Sequence, residues 1–188
     1  MILAPYQVHA ESHFPSILFE NKQDYQQRRP QLLIAARQFV DGQTQIIRQQ
    51  HDKGASGTWV VDALTCMFDV LNQSLYQAAS SDQDEVDLQD CSLIALGGYG
   101  RMEMNPRSDL DLMFFYDVSC KAAAELIADR MLDLLWDLNL DVGYSIRSTK
   151  DCLDNASNDL TVRTSLLDAR LLAGSKQSYT HFENKVAR

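Results

Sequence analysis

Apolar residues recur at helical spacing in the first half of the chain. Residues 30–50 and residues 58–79 each carry an apolar position every three or four residues, and the polar, glycine-containing segment 51–57 separates them. We therefore predict an N-terminal helical hairpin, with Pro30 in the first turn of its first helix. Residues 1–28 lack such periodicity and are expected to form an irregular lead-in.

The second half alternates between short apolar runs and one long amphipathic stretch. Apolar runs at residues 93–96 and 109–116 predict two strands joined by a glycine turn and a short helix, and residues 141–147 predict a third strand. Residues 122–138 carry apolar positions at helical spacing and predict a helix that covers the sheet. The expected fold is α/β of the α+β type, a small mixed sheet flanked by helices.

The same patterns predict the domain organisation. The acidic, serine-rich residues 80–89 form a connector, so that residues 1–89 are a helical N-terminal extension and residues 90–188 a core with C-terminal helices. Those last helices are predicted over residues 149–156 and 159–172, with Gly174 as the stop of the second, followed by a polar helical stretch.

Composition narrows the class of protein. The chain has 188 residues, 45% of them hydrophobic, and a formal net charge of -9, which disfavours nucleic acid as a partner. The four cysteines are widely spaced and predict neither a zinc site nor a disulfide framework. No apolar run is long enough to span a membrane, and the N-terminal residues do not resemble a signal peptide. We expect a cytoplasmic protein.

Two aspartates on the second strand are the strongest candidates for chemistry. Side chains alternate along a strand, so Asp109 and Asp111 share one face and repel each other by roughly 4 kcal/mol at about 4 Å and an effective dielectric near 20. Such repulsion is relieved by protonation of one aspartate or by binding of a divalent cation, and the carboxylate oxygens suit Mg²⁺ or Mn²⁺. Gly97 and Gly98 lack side chains, so their backbone N–H groups can seat a phosphate.

Neighbouring residues allow more than one interpretation. Arg101 would contact a triphosphate or pair with a surface carboxylate such as Glu103. Ser108 would bind a phosphate oxygen or close a turn. Glu103 also occupies the position at which a dinucleotide-binding fingerprint needs glycine, which excludes that motif.

The longer pattern around these residues resembles a known catalytic segment. That pattern is Gly97-Gly98-Tyr99-Gly100-Arg101-x-Glu103-x-x-Pro106-x-Ser108-Asp109-x-Asp111-Leu112. It is similar to the segment of bacterial PII-protein uridylyltransferases, which have the nucleotidyltransferase fold of the DNA polymerase beta superfamily. Residues 137–147 and 159–174 are also similar to that family.

The resemblance implies a function, and it also implies a third carboxylate whose position in this chain is not assigned. It implies transfer of UMP from UTP, with Mg²⁺ or Mn²⁺, to a tyrosine of a PII-type nitrogen-signalling protein, by an N-terminal catalytic portion or a stand-alone relative. Many proteins of this fold carry a third carboxylate on the third strand, where Asp141 lies at the start and Gly143 or Ser145 faces the pair. A regulatory module that binds nucleotide without turnover is the alternative.

Overall fold

The computed structural model describes residues 24–83, 88–117 and 120–186. The predictions for the lead-in over residues 1–23 and for part of the acidic connector, residues 84–87, lie outside the described residues. The chain divides into two compact units, Met1–Asp82 with Met102–Ser108, and Gln83–Arg101 with Asp109–Arg188.

The first unit contains the helical hairpin, which is confirmed. Helix α1 spans Tyr25–Asp52 and helix α2 spans Gly57–Ser80. The predicted start of α1 at Pro30 is wrong, because the helix begins at Tyr25, where Asp24 caps it by accepting the N–H of Gln26 at 3.2 Å. Ser56 caps α2 through the N–H of Trp59, and α1 is followed by Gly54 with a positive φ of 98°.

The apolar stripe predicted for α2 is buried. The stripe predicted for α1 is partly wrong, because it included Ile34 and Ile46, which are 58% and 39% exposed. The stripes recur at heptad-like intervals, as expected when one face of each helix packs inward. Among the buried side chains are Leu32, Ala36, Phe39 and Ile47 of α1, and Leu64, Met67, Leu71 and Leu75 of α2.

One polar side chain breaks the apolar stripe of α1. Gln43 is 1% exposed, and neither its amide nitrogen nor its amide oxygen has a hydrogen-bond partner among the described residues. An unsatisfied buried polar group costs about 1–3 kcal/mol. We expect Gln43→Met, which is similar in shape, to raise the free energy of unfolding by about 1 kcal/mol in urea denaturation. The exposed Gln45→Met is the matched control and should change it by less than about 0.5 kcal/mol; equal effects would contradict the prediction.

The second unit is a four-stranded mixed sheet with helices. Its strands lie in the order β3-β2-β1-β4, with β1 antiparallel to β2 and β4, and β2 parallel to β3. This confirms the predicted α/β class. In chain order the elements are β1 Cys91–Ala95, α3 Gly97–Gly100, β2 Leu110–Tyr116, α4 Lys121–Asp137, β3 Val142–Ser148, α5 Thr149–Asn158, α6 Leu160–Leu167, β4 Arg170–Gly174 and α7 Lys176–Val186.

The fourth strand corrects the prediction for residues 159–172. Helix α6 ends at Leu167, and Arg170–Gly174 forms β4 along the edge of β1, so Gly174 ends a strand and not a helix. Leucine, alanine and arginine in this segment favour a helix locally. Pairing with β1 outweighs that preference, because it provides hydrogen-bond partners for the backbone N–H and C=O groups of this segment.

The two faces of the sheet are covered by different helices. Tyr116 and Ile146 pack with Ala123 and Ala124 of α4, so the even-numbered positions of β2 and β3 face that helix. Met113 and Phe115 pack on the opposite face, in a cluster with side chains of α5, α6 and α7: Cys152, Leu166 and Phe182. Asp111 belongs to the same odd-numbered set as Met113 and Phe115, which places it on the face of α5 to α7.

Helix α5 begins with a reciprocal cap that fixes the end of β3. The Ser148 hydroxyl accepts the N–H of Asp151 at 3.2 Å, while the Asp151 carboxylate accepts the Ser148 N–H at 2.9 Å and its hydroxyl at 2.7 Å. These bonds from the Ser148 side chain and backbone lower the pKa of Asp151. Because the folded pKa is lowered, the ionised carboxylate stabilises the fold near neutral pH, and this contribution is lost as the pH falls through that pKa.

We expect Asp151→Asn to lower the free energy of unfolding at pH 7 by about 0.5 kcal/mol, a small value because water screens this partly exposed group. Urea denaturation across a pH series measures it. The difference from wild type should shrink towards zero in acid, where Asp151 is itself neutral. Asp154→Asn, an exposed change one turn further along α5, is the control. A difference that persists unchanged in acid would exclude the ionised cap as its cause.

Candidate active site

The glycine turn lies between β1 and the start of β2. Gly97 has a positive φ of 55°, a conformation that favours glycine. The turn closes through bonds from the Gly100 N–H to the Leu96 oxygen at 2.8 Å and from the Arg101 N–H to the Gly97 oxygen at 3.1 Å. A Cβ built on Gly97 would lie 3.0 Å from Asp111 Oδ2. The turn therefore approaches this carboxylate more closely than most side chains would allow.

A second glycine faces the same carboxylate from β3. Gly143 is paired with Asp111 in the parallel register of β2 and β3. A Cβ on Gly143 would lie 2.6 Å from Asp111 Oδ1 and 4.0 Å from Asp109 Oδ2. The structure thus brings Asp109 and Asp111 together in front of the β3 backbone at Gly143, which carries no side chain. Gly97 lies on the other side of Asp111.

The electrostatics of the pair follow from this convergence. Asp111 is half-buried on β2, whereas Asp109 is exposed just before the strand. Burial, and then the negative charge of Asp109, raise the pKa of Asp111. Both causes disfavour the ionised form of Asp111, so a cation near the two carboxylates would stabilise it.

No third carboxylate joins the pair among the described residues. The β3 position opposite Asp111 is Gly143, as one of the two sequence alternatives predicted, and Asp141 is exposed before β3, where its backbone oxygen accepts the Leu110 N–H. Within residues 24–83, 88–117 and 120–186 there is no group of three or more acidic, histidine or cysteine side chains arranged to hold a metal. The donor set found here is therefore two carboxylates.

The remaining predicted residues have structural partners. Arg101 forms an ion pair with Asp168, with Nη1 and Oδ2 2.5 Å apart. The Ser108 N–H donates to the Asn105 oxygen at 3.1 Å and closes a turn in the first unit. Gly98 is the second residue of the glycine turn. None of these contacts excludes a role in nucleotide binding, and that role stays a prediction.

The start of β4 supports the glycine turn in a way that the sequence did not show. Arg170 donates from Nε to the Gly100 oxygen at 3.2 Å and from Nη2 to the Tyr99 oxygen at 3.1 Å. Its guanidinium also lies 5.5 Å from the centre of the Tyr99 ring. A Cβ on Gly100 would clash with the backbone oxygen of Asp168. These contacts hold the turn against β4, a strand that was predicted as helix.

A cavity of about 340 Å³ opens beside the carboxylates. It extends from Leu96, next to the glycine turn, along the odd-numbered face of β3 to helix α6. Its size falls in the range typical of small-molecule sites. Sequence reasoning placed Ser145 and Arg147 on one face of β3 but missed the α6 contribution, since the position of that helix depends on packing. The polar residues that line it include Asp111, Ser145, Arg147, Thr161 and Ser165.

Comparisons with known proteins show which family this chain is similar to. A sequence model described as glutamate-ammonia ligase adenylyltransferase matches residues 6–132. The bifunctional uridylyltransferase/uridylyl-removing enzyme of Rhodospirillum rubrum is 31% identical over 171 residues, covering 86% of this chain and 18% of the relative. The enzyme of the same name from Aliivibrio fischeri is 42% identical over 124 residues, covering 63% of this chain and 13% of the relative. The one from Cereibacter sphaeroides is 49% identical over 83 residues, covering 44% of this chain and 9% of the relative.

Together with the mixed sheet and the paired aspartates, these matches define a protein of the nucleotidyltransferase class. The chain belongs to the glutamate-ammonia ligase adenylyltransferase family, whose model matches more than half of its residues. This confirms the resemblance to nucleotidyltransferases. The chain spans less than a fifth of the length of the uridylyltransferases it matches. In the part of the chain that the structure describes, no helix is both long and apolar enough to cross a membrane.

Proposed function

We propose that this chain carries out metal-dependent nucleotidyl transfer, moving UMP from UTP to a hydroxyl of a PII-type acceptor protein. The observation that carries the proposal is the convergence of Asp109 and Asp111 in front of Gly143, with the glycine turn against Asp111. Such an arrangement leaves room for a cation and a polyphosphate beside two carboxylates that otherwise repel each other.

The residues present fit a divalent cation. Two carboxylates supply hard oxygen ligands, and Gly143 leaves open the space that a Cβ would fill between them. Asp109 and Asp111 would hold Mg²⁺ or Mn²⁺, with further ligands from substrate phosphates and water. When bound, the cation neutralises charge that develops on the phosphoryl oxygens and lowers the pKa of the attacking hydroxyl.

The chain's other residues bind and orient the nucleotide. The backbone N–H groups of Gly97 and Gly98 would seat the triphosphate, with Arg101 and Ser108 as further phosphate ligands. The acceptor oxygen then forms a bond to the α-phosphorus as the bond to pyrophosphate breaks, and the hydroxyl proton leaves to solvent. Holding both reactants in line is the main contribution of such a site.

The choice of nucleotide and acceptor rests on the relatives. The matched enzymes are named uridylyltransferases, which favours UTP, and the resemblance of the catalytic segment favours a PII-type acceptor. The family model is named for adenylyl transfer to glutamate-ammonia ligase, so ATP with that protein is the second pair to test.

A second candidate function is a regulatory module that binds nucleotide without turnover. The observation that favours it is the glycine at position 143, where a third carboxylate would face the pair. A site with two carboxylates retains ligands for a cation, but among the described residues no third carboxylate joins them that could act as a general base.

Calorimetry and a transfer assay separate the two functions. UTP and ATP are titrated into the intact protein with Mg²⁺, and then each α-labelled nucleotide is incubated with a PII-type protein or glutamate-ammonia ligase. Label on the acceptor together with released pyrophosphate supports transfer. Binding without label by the full-length protein supports the regulatory module. If neither nucleotide binds with Mg²⁺ or Mn²⁺, both functions are excluded.

A further inference from the structure

Arg147 occupies an unusual position on the sheet. It lies near the end of β3, on the same odd-numbered face as Gly143 and Ser145, and is paired in register with Phe115 of β2. The side chain is half-buried and lines the cavity that begins at Asp111. A positive charge is therefore held in the same cavity as the carboxylate pair.

The Arg147 guanidinium has no acceptor in the part of the chain that the structure describes. It makes no hydrogen bond or ion pair with residues 24–83, 88–117 or 120–186. In contrast, Arg101 is paired with Asp168, and Arg170 donates to two backbone oxygens of the glycine turn. A guanidinium offers five N–H donors, and those of Arg147 are available to a ligand that enters the cavity. This arrangement points to an anionic or strongly accepting ligand.

The side chains at the two ends of the cavity limit which class of ligand can bind in it. One end is adjacent to Leu96 and the glycine turn and contains Asp111, a proposed cation ligand, while Arg147, Thr161 and Ser165 line the same space. Ser165 donates its hydroxyl proton to the Val162 oxygen at 2.8 Å and is not a donor to the ligand in this arrangement, so Arg147 is the charged donor at this end of the cavity. A polyphosphate with a bound cation matches this combination of charges, since guanidinium pairs with phosphate through two parallel bonds.

We propose that Arg147 binds phosphate oxygens of the nucleoside triphosphate, at the end of the cavity away from the carboxylates. The inference rests on the proposed nucleotidyl transfer and deepens it by adding a phosphate ligand from β3 to those of the glycine turn. Arg147 stabilises the bound polyphosphate, and Asp111 lies between the two groups of phosphate ligands.

Calorimetry with three probes tests the assignment. UTP, inorganic tripolyphosphate and uridine are each titrated into the full chain with Mg²⁺, for the wild type, Arg147→Gln and Arg147→Lys. We expect Arg147→Gln to weaken UTP and tripolyphosphate about ten- to a hundredfold, the range for loss of charge-assisted bonds, and to leave uridine binding unchanged. Arg147→Lys should restore part of the loss, because it keeps the charge without the paired geometry.

Arg163→Gln is the matched control, since it removes the same charge from an exposed position on α6 that does not line this cavity. It should change neither affinity by more than about twofold. Thermal melts of each variant, followed by circular dichroism, verify that the fold is intact.

The outcomes separate this inference from the proposed function. If Arg147→Gln weakens UTP but not tripolyphosphate, the guanidinium contacts the base or ribose and the phosphate assignment is wrong. Failure of the wild type to bind tripolyphosphate also overturns it. If Arg147→Gln binds both probes and transfers normally, the inference fails while nucleotidyl transfer stands. Tripolyphosphate binding that depends on Arg147 in a protein without transfer activity supports the inference and contradicts the proposed reaction.

Discussion

Replacing Asp111 by asparagine should reduce nucleotidyl transfer by about a thousandfold or more while the fold is retained. The substitution keeps the size of the side chain but removes the charge that would hold a divalent cation, and effects of this order follow the loss of a group that stabilises transition-state charge. Stability should be unchanged or slightly higher, because burial and Asp109 already disfavour the ionised form and raise its pKa. The measurements are label transferred to the acceptor, released pyrophosphate and a thermal melt.

The control for this prediction is Asp133→Asn, the same chemical change at an exposed position on α4. It should leave transfer at the wild-type rate. Normal turnover by Asp111→Asn would exclude Asp111 as a metal ligand and with it the proposed mechanism. A loss of transfer accompanied by a large fall in melting temperature would instead show that Asp111 is needed for folding.

The arrangement of the acidic pair could be predicted from sequence because it depends on short-range patterns. Alternation along the predicted second strand places Asp109 and Asp111 on one side, and the upstream apolar run that ends at the glycines predicts the turn. The structure adds that Asp111 contacts this turn closely enough to exclude most side chains at Gly97. Local sequence therefore predicted that Asp109, Asp111 and Gly97 converge.

The parts that sequence could not predict depend on long-range pairing. The helical preference of residues 170–174 is real, but their conformation is decided by a hydrogen-bonded neighbour, β1, that is distant in sequence. The contacts of Arg170 with the glycine turn follow from that strand and could not be anticipated once the segment was predicted as helix. Likewise, the cavity near Arg147 requires α6 to pack over β3, which periodicity alone does not specify.

The role of Gly143 follows from the sequence pattern and the strand register together, and it gives the second prediction with a large expected effect. Alternation along β3 limited the position facing the pair to Gly143 or Ser145, and only the register of the parallel strands identifies Gly143. The consequence is steric: a Cβ at this position would lie 2.6 Å from Asp111 Oδ1, too close for the carboxylate to stay where it is.

We expect Gly143→Ala to reduce transfer by about a hundredfold, the cost typical of displacing a catalytic group by about 1 Å. Its stability should change by less than about 1 kcal/mol, since alanine is tolerated at strand positions. Gly42→Ala is the matched control, because a Cβ there meets nothing within 4 Å in the middle of α1. That control should raise the free energy of unfolding by about 0.5–1 kcal/mol and leave transfer unchanged.

A double variant shows whether Gly143 acts through Asp111. If the added methyl group only displaces that carboxylate, Gly143→Ala combined with Asp111→Asn should lose no more activity than Asp111→Asn alone, since the two changes affect one interaction. Additive losses would mean that the methyl group blocks substrate directly. Wild-type turnover by Gly143→Ala would show instead that the convergence of the two aspartates in front of Gly143 is not used in the reaction, because the added Cβ cannot leave Asp111 in place.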